Sequence, residues 1–171
     1  FISLVKEAKK LSSMYTLTDI LNDKCETLDI RGVAHKGYFA SITDFPSYYA
    51  ANMDLLDYKA AQELFHENWP IYTRTNDSCP TQYFSTAEVK NSVISNGCQI
   101  EGTVENSVIG RGCIIKKGAV VRNSVVLAEV TIGEDVHVEN EVVDKWARLI
   151  RKKEIVSPAD QPGYIKRNDT L

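Results

Sequence analysis

Histidine is the residue whose chemistry is easiest to recognise, and this chain of 171 residues has three of them. His35, His66 and His137 are isolated, and no H-E-x-x-H, G-x-x-x-x-G-K-[ST] or G-x-G-x-x-G motif occurs. His137 ends a six-residue unit led by Ile132, where it could serve as a general base toward a hydroxyl or amine. We expect this position to face outward, as a solvated surface residue.

The four cysteines lack the spacing of a metal site. Cys25, Cys79, Cys98 and Cys113 form no C-x-x-C pair and have no matching set of histidines, so we predict no metal ligands. Cys98 and Cys113 occupy equivalent places in adjacent repeats, close enough for a disulfide, but two small buried thiols are the favoured interpretation. Reduced thiols indicate a cytoplasmic protein.

The elements that position these residues repeat along residues 89–143. A five-residue motif occurs at 89–93, 104–108, 121–125 and 138–142, and successive copies start 15, 17 and 17 residues apart. Six-residue units that begin with Val or Ile separate these motifs, so one period of the repeat divides into 6 + 6 + 5 residues. Three near-equal pieces, each with one aliphatic residue, predict a coil with three flat sides, which is a triangular parallel β-helix. The alternative fold, an antiparallel meander with glycine turns, would not require a repeat of fixed length.

The repeat also predicts which side chains point into the β-helix. The large inward residues are Val89, Ile94, Ile100, Val104, Ile109, Ile115, Val121, Val126, Ile132, Val138 and Val143. Smaller inward residues are Cys98, Cys113, Ala119, Val130 and Val136, with Ser92, Ser107 and Ser124 on the five-residue side. Asn91, Asn106, Asn123 and Asn140 fall at one corner, where Asn tolerates turn dihedrals and can bond its neighbour in the next coil. The short repeat at 101–103 predicts a tightened corner.

Composition limits the class of protein. A hydrophobic content of 43% and a net charge of −3 are typical of one large or two small globular domains and predict neither nucleic acid nor a membrane as a partner. No apolar run reaches the roughly 20 residues of a membrane span. The chain begins at Phe1 within helix-like sequence, so we expect a piece of a longer protein.

The remaining segments predict a small α+β region and two flanking pieces. We expect helices at 1–12, 16–22, 46–57 and 58–67, and strands between residues 27 and 42 joined at Gly32 and Gly37. We predict a linker at 68–86, the β-helix at 87–156 and a tail at 157–171, with Trp146 capping the open end of the β-helix.

Four segments, taken in order, resemble glucose-1-phosphate adenylyltransferase (ADP-glucose pyrophosphorylase). They are Gly-Tyr-Phe-Ala-Ser-Ile at 37–42, Tyr-Tyr-Ala-Ala-Asn-Met-Asp-Leu-Leu at 48–56, Pro-Ile-Tyr-Thr at 70–73 and Pro-Thr-Gln-Tyr at 80–83. The resemblance covers nearly the whole chain. It implies that residues 1–67 end a nucleotidyltransferase-like catalytic domain and that the β-helix is left-handed.

The chain departs from this family at one metal ligand. Active members resemble G-Y-W-x-D-I-G-T, where the Asp holds catalytic Mg²⁺, but Ser41 occupies that place and Phe39 replaces the Trp. A neutral hydroxyl is a poor substitute for an anionic Mg²⁺ ligand. The resemblance therefore implies a non-catalytic, regulatory type of bacterial subunit in glycogen biosynthesis. We expect no cofactor in this chain, and Mg²⁺ in a catalytic partner subunit with which it would form a hetero-oligomer, expected to be a tetramer.

The residues after the coils resemble the effector-binding segment of the family. Residues 143–148 are similar to the I-D-K-N-x-R-I stretch of plant-type members, which implies Lys145 and Arg148 as ligands of a sugar phosphate or another phosphorylated effector. Two alternatives belong to other classes. One is a hexapeptide acyltransferase that uses His137 and binds acetyl-CoA between coils of neighbouring subunits, and the other is an assembly module without ligands.

Overall fold

The computed structural model describes residues 1–65, 68–73, 75 and 77–171, without the side chain of Leu11. The chain divides into two compact units, Phe1–Lys36 and Gly37–Leu171. No helix among the described residues is long and apolar enough to cross a membrane.

The first unit contains two of the predicted helices, α1 (Ile2–Leu11) and α2 (Leu17–Lys24). Thr16 begins α2 with a capping box, because its hydroxyl accepts from the Asp19 N–H while the Asp19 carboxylate accepts from the Thr16 N–H. The two helices pack together and bury Ala8 and Ile20. This small apolar contact is the core of the unit.

The strands predicted between residues 27 and 42 are absent, and that prediction is wrong. The chain there has no regular structure, and its apolar residues are exposed, with Val33 at 92% and Phe39 at 77%. A lone hairpin is marginal in water unless a third strand or a helix covers its apolar face. No strand among the described residues pairs with this segment, so the alternation of apolar residues alone does not make a sheet.

The second unit opens with helices. They are α3 (Phe45–Met53), a 3₁₀ turn (Asp54–Leu56) and α4 (Tyr58–Leu64). Asp44 caps α3, because its carboxylate accepts from the Ser47 N–H at 2.8 Å. Pro46 lies in the first turn, where N–H groups have no partner within the helix, so its lack of an N–H costs no helical hydrogen bond. The predicted end of the last helix at Glu67 lies outside the described residues.

Fifteen short strands follow in the part of the chain that the structure describes. They are β1 (Gln82–Tyr83), β2 (Glu88–Lys90), β3 (Val93–Ile94), β4 (Gln99–Ile100), β5 (Thr103–Glu105), β6 (Val108–Ile109), β7 (Ile114–Ile115), β8 (Val120–Arg122), β9 (Val125–Val126), β10 (Thr131–Ile132), β11 (His137–Glu139), β12 (Glu141–Val143), β13 (Arg148–Leu149), β14 (Glu154–Val156) and β15 (Gly163–Ile165). Every third strand belongs to the same sheet, and all pairs are parallel. The predicted three-sided parallel β-helix is confirmed, with five strands on each side.

The interior follows the predicted pattern except at the first coil. The leading aliphatic residues from Ile100 to Val143 are 0–1% exposed, and the smaller Cys98, Cys113, Ala119, Val130 and Val136 lie between them at 0–1%. Val89 is 40% exposed because β2 lies at the edge of its sheet, and no described strand stacks on it from before. The sheets also extend beyond 87 and 156, since β1 pairs with β4 and β15 pairs with β12.

The corners absorb the differences in coil length. Asn91, Asn106, Asn123 and Asn140 have positive φ, as the turn requires, and the Asn91 side chain donates to Asn106 at 2.8 Å. The tightened corner at Gly102 is confirmed. A Cβ there would lie 2.8 Å from the Lys116 carbonyl oxygen and closer still to that of Ala119.

A column of serine hydroxyls lines the inside of the asparagine corner. Ser92 Oγ accepts from the Ser107 N–H, Ser107 Oγ from the Ser124 N–H, and Ser124 Oγ from the Glu141 N–H, at 3.1–3.2 Å. Ser107 and Ser124 are fully buried. Each hydroxyl therefore satisfies a buried N–H of the next coil, as a closed interior demands.

Helix α3 packs against β9 on the outer face of the sheet formed by β3, β6, β9, β12 and β15. That face carries a column of valines, of which Val125 and Val142 are 1–2% exposed. The Tyr49 hydroxyl donates to the Asn123 carbonyl at 2.6 Å, and the Phe45 ring meets Tyr164 edge-on at 5.8 Å. The helix is thereby fixed to the β-helix by apolar burial and one corner hydrogen bond.

Candidate effector site at the end of the β-helix

Lys145 and Arg148 lie three residues apart in sequence on the last full coil. Lys145 occupies a corner and Arg148 begins β13, and both side chains are exposed. Between them Ala147 points inward and is fully buried, and Leu149 follows it into the core. The buried residues fix the backbone, so the two cationic side chains extend from a rigid corner into solvent.

The next stretch of chain brings further charge to this corner. The Asn168 N–H donates to the Lys145 carbonyl at 3.1 Å, and the Arg148 N–H donates to the Asp169 carbonyl at 2.8 Å. These bonds place Arg167 beside Lys145, which we did not predict because the two residues are far apart in sequence. The three cations Lys145, Arg148 and Arg167 define what we call the basic corner.

Trp146 does not cap the β-helix, so that prediction is wrong. It occupies the outer turn position that Gly97 and Gly112 hold in earlier coils, with a positive φ of 61° and 43% exposure. Its N–H donates to the Ala128 carbonyl of the preceding coil. The Arg167 guanidinium lies 4.1 Å from the centre of its ring, a cation–π contact outside the core.

Asp144 moderates the charge of the basic corner. Its carboxylate accepts from the Lys145 N–H at 2.6 Å and from the Tyr164 hydroxyl at 2.8 Å. These bonds, with the nearby charges of Arg167 and Lys145, hold the pKa of Asp144 below its usual value. It is therefore ionised at neutral pH and orients the turn. The corner has the donors to bind a phosphoryl group, but one fixed anion lies beside them.

Ser41, which the family resemblance aligns with a metal ligand, lies in an irregular segment. Ser41 is exposed there, within the second unit, and Asp44 is the nearest carboxylate in sequence. Hydrogen bonds from Ser47 lower the pKa of Asp44 and hold it as the cap of α3. The residues present at 41–44 do not fit a Mg²⁺ site, because the only anion there already caps a helix. No group of three His, Cys, Asp or Glu residues in the described part of the chain could hold a metal.

His137 faces outward, as predicted, but it is not fully solvated, because its side chain is 33% exposed and its Nε2 atom is buried. It begins β11, and the next residue, Val138, is the one that points into the core. Its Nε2 atom lies 3.1 Å from Glu139 Oε2, within ion-pair distance if the ring is protonated, but the two atoms lack hydrogen-bond geometry.

Cys98 and Cys113 are buried free thiols on adjacent coils. Cys98 Sγ donates to the Gly110 carbonyl at 3.1 Å, and Cys113 Sγ donates to the Leu127 carbonyl at 3.0 Å. The contact with Cys98 and burial raise the pKa of the Cys113 thiol, so it is protonated. Their surroundings are those of small core residues.

A buried carboxylate at Glu141 was missed by the sequence reasoning. It occupies the place of Ser107 and Ser124 in earlier coils, is 4% exposed, and accepts from the Ser157 hydroxyl at 2.5 Å. Burial raises its pKa, although the Ser157 bond and Lys152 oppose the shift. The sequence does mark this position, because the fourth copy of the five-residue motif contains Glu-Asn-Glu where the other copies contain x-Asn-Ser.

The fold defines a hexapeptide β-helix protein, and comparison with known proteins agrees. Residues 80–161 match the family described as "GlmU-like, C-terminal hexapeptide". The chain is 32% identical over 152 residues to the glycogen biosynthesis protein GlgD of Bacillus subtilis, covering 89% of this chain and 44% of that protein.

Two further relatives carry the name glucose-1-phosphate adenylyltransferase. The Fervidobacterium nodosum protein is 33% identical over 82% of this chain and 34% of its own length. The Geobacillus stearothermophilus protein is 44% identical over 51% of this chain and 22% of its own length. The chain thus spans less than half the length of these relatives. It belongs to the family of glucose-1-phosphate adenylyltransferase and GlgD proteins, as predicted, and the acyltransferase alternative is not favoured.

Proposed function

We propose that this chain is part of a regulatory-type subunit in glycogen biosynthesis, which contributes assembly and effector response rather than catalysis. The observation that carries this proposal is the combination of Ser41 at the metal-ligand position with relatives that include GlgD proteins. The adenylyltransferase relatives indicate the reaction of the complex, which converts ATP and glucose 1-phosphate to ADP-glucose and pyrophosphate. The protein would work in the cytoplasm.

The loss of catalysis follows from the chemistry of position 41. Charge develops on the transferring phosphoryl group, and a metal fixed by carboxylates is what usually stabilises it. Ser41 offers a neutral oxygen, and Asp44 is occupied as the cap of α3. We expect the full-length parent protein to have little adenylyltransferase activity by itself. We expect it to change the kinetics of a catalytic partner subunit.

The test is pyrophosphate release by the full-length parent, purified with and without the catalytic subunit. Little turnover alone, together with altered turnover of the mixture, is the expected result. The variant Ser41→Asp should remain poorly active, because Phe39 and the Thr43-Asp44 pair also depart from the active pattern. Substantial turnover by the parent alone would contradict the proposal, as would failure of the two subunits to associate.

The basic corner is the proposed site for a phosphorylated effector. Lys145 and Arg148 are exposed, lie three residues apart on a rigid coil end, and have Arg167 beside them. Charge-assisted hydrogen bonds from these groups would make binding weaken as salt rises.

The effector test compares two exposed lysines. Lys145→Ala should weaken the effector response of the assembled enzyme several-fold, measured as the effector concentration that gives half of the maximal change. Lys117→Ala removes the same charge from a different corner and should leave the response unchanged. Equal responses in both variants and the unaltered protein would remove Lys145 from the site.

A further inference from the structure

The column of serine hydroxyls inside the asparagine corner ends at a carboxyl group. Ser92, Ser107 and Ser124 each accept from an N–H of the next coil, and the last of these N–H groups belongs to Glu141. Glu141 is 4% exposed, and its partner in the next coil is Gly163. A column of neutral hydroxyls therefore ends in a buried group that can carry a charge.

The chain leaves room for this carboxyl group at Gly163. A Cβ there would lie 2.5 Å from Glu141 Oε1 and closer still to Glu141 Oε2 and Ser157 Oγ. The Ser157 hydroxyl donates to Oε1 at 2.5 Å, and the Ser157 carbonyl accepts from the Asn140 side chain at 2.8 Å. The Gly163 N–H donates to the Asn140 carbonyl at 3.0 Å. The corner formed by residues 157–162 is thus attached on both sides of Glu141.

The ionised form of Glu141 is poorly stabilised. Burial raises its pKa, and the Ser157 bond and the positive charge of Lys152 oppose this shift without reversing it. Lys152 is exposed, so water and salt screen its charge. The other titratable residues on the surrounding elements point away from the interior. They are Arg151 and Lys153 beside Lys152, His137 and Glu139 on β11, Asp144 after β12, Glu154 on β14, Asp160 in the 157–162 corner and Tyr164 on β15.

Strand β15 connects the 157–162 corner to two other contacts. It begins at Gly163, and the hydroxyl of the next residue, Tyr164, donates to Asp144 at 2.8 Å. The Tyr164 ring also meets Phe45 of α3 edge-on at 5.8 Å. A change in the position of β15 would therefore reach both the turn at Asp144 and the attachment of α3.

We propose that the 157–162 corner is a pH-sensitive switch controlled by the protonation of Glu141. When the carboxyl group is neutral, the corner stays closed over it and β15 stays paired with β12. When the group is ionised, water must reach it, because a buried charge without enough partners is costly. Residues 158–161 are exposed, so the corner can open without disrupting the core. Opening of the corner then loosens β15.

Proton binding fixes the direction of this switch. The closed form holds the proton on Glu141 more tightly than the open form, in which a hydrated glutamate has a pKa of about 4.3. The open population therefore increases as pH rises above about 4, by up to about tenfold per pH unit. The increase ends at the pH where Glu141 is ionised in the closed form as well.

The experiment is amide hydrogen exchange of the 171-residue chain, followed by mass spectrometry between about pH 4 and pH 7. Each rate is divided by the rate of an unstructured peptide at the same pH, so that protection alone is compared. We expect peptides covering 157–165 to lose protection about threefold or more as pH rises. Peptides covering β9 should keep their protection, because they are the reference for the rest of the β-helix.

Two variants and a control identify the group responsible. Glu141→Gln keeps the shape of the side chain but cannot ionise, so residues 157–165 should keep their low-pH protection at every pH. Lys152→Ala removes a charge that favours the ionised form, so the loss of protection should level off at a higher pH than in the original chain. The control Glu154→Gln removes an exposed carboxyl group from β14 and should leave the pH profile unchanged.

Each outcome decides the proposal. Protection of 157–165 that is constant with pH, or an equal loss at β9, would overturn the switch. A pH profile that persists in Glu141→Gln would assign the effect to another group. If that variant does not fold, Lys152→Ala decides, and a profile that levels off at the original pH overturns the proposal. The inference concerns opening within the β-helix and is independent of the proposed role in glycogen synthesis, which is tested by pyrophosphate release.

Discussion

The corner at Gly102 allows a stability prediction in which the cost can be worked out from backbone contacts. A methyl group at this position would lie 2.8 Å from the Lys116 carbonyl oxygen and closer still to the Ala119 carbonyl oxygen. Both are backbone atoms of the next coil, and the Ala119 oxygen already accepts from the Thr103 N–H at 2.8 Å. The clash cannot be relieved by a side-chain rotation, so the coils must separate locally.

We therefore expect Gly102→Ala to destabilise the β-helix by about 2–4 kcal/mol, from overpacking and a stretched backbone hydrogen bond. For a chain of this size, 1 kcal/mol shifts Tm by roughly 2–4 °C, so the expected loss is about 4–16 °C. The assay is thermal unfolding followed by circular dichroism in the β-sheet region.

Gly32→Ala is the matched control for Gly102→Ala. A Cβ at Gly32 meets no atom within 4 Å, so this variant should not lower Tm. A Tm for Gly102→Ala that lies within about 1 °C of that of the original chain would refute the argument, because it would mean that the short coil has room at its corner.

Two further predictions concern the interior. Ile115→Asp places an unpaired charge at a fully buried position and should cost about 3–5 kcal/mol, whereas Lys117→Asp, which is exposed, should change Tm little; similar shifts for both would contradict the assigned orientation. The raised pKa of Glu141 means that its folded form holds a proton more tightly, so this group favours folding below about pH 4 and loses that contribution as pH rises. Glu141→Gln should therefore raise Tm at about pH 7, measured by thermal unfolding, with the difference disappearing near about pH 4.

The β-helix could be predicted from sequence because its period places one aliphatic residue on each side of every coil. The prediction failed at the ends, where the period is interrupted. Ile155 and Ile165 are both inward at 5% exposure, but the longer corner between them hides the repeat. Trp146 was misinterpreted because its size suggested a cap, while Ala147 and Leu149 still followed the inward pattern.

The candidate site was predictable only in part, because its members come from different coils. Lys145 and Arg148 were identified through the family resemblance, three residues apart in sequence. Arg167 and Tyr164 reach the same corner only because the last strand, β15, pairs with β12. The segment at 27–42 shows the opposite case, since local alternation predicted strands for which no pairing partner exists among the described residues.

The longer corner after β14 shows where this architecture accepts new sequence. Residues 157–162 take the place that Asn140 alone holds in the preceding coil, yet β14 and β15 keep their pairing with β11 and β12. The strands before and after the added residues thus remain in register. Foreign loops grafted at the equivalent corners, next to Asn106 or Asn123, should therefore project from the β-helix at a regular spacing along its axis. Such a chain would hold several displayed peptides at fixed distances from one another.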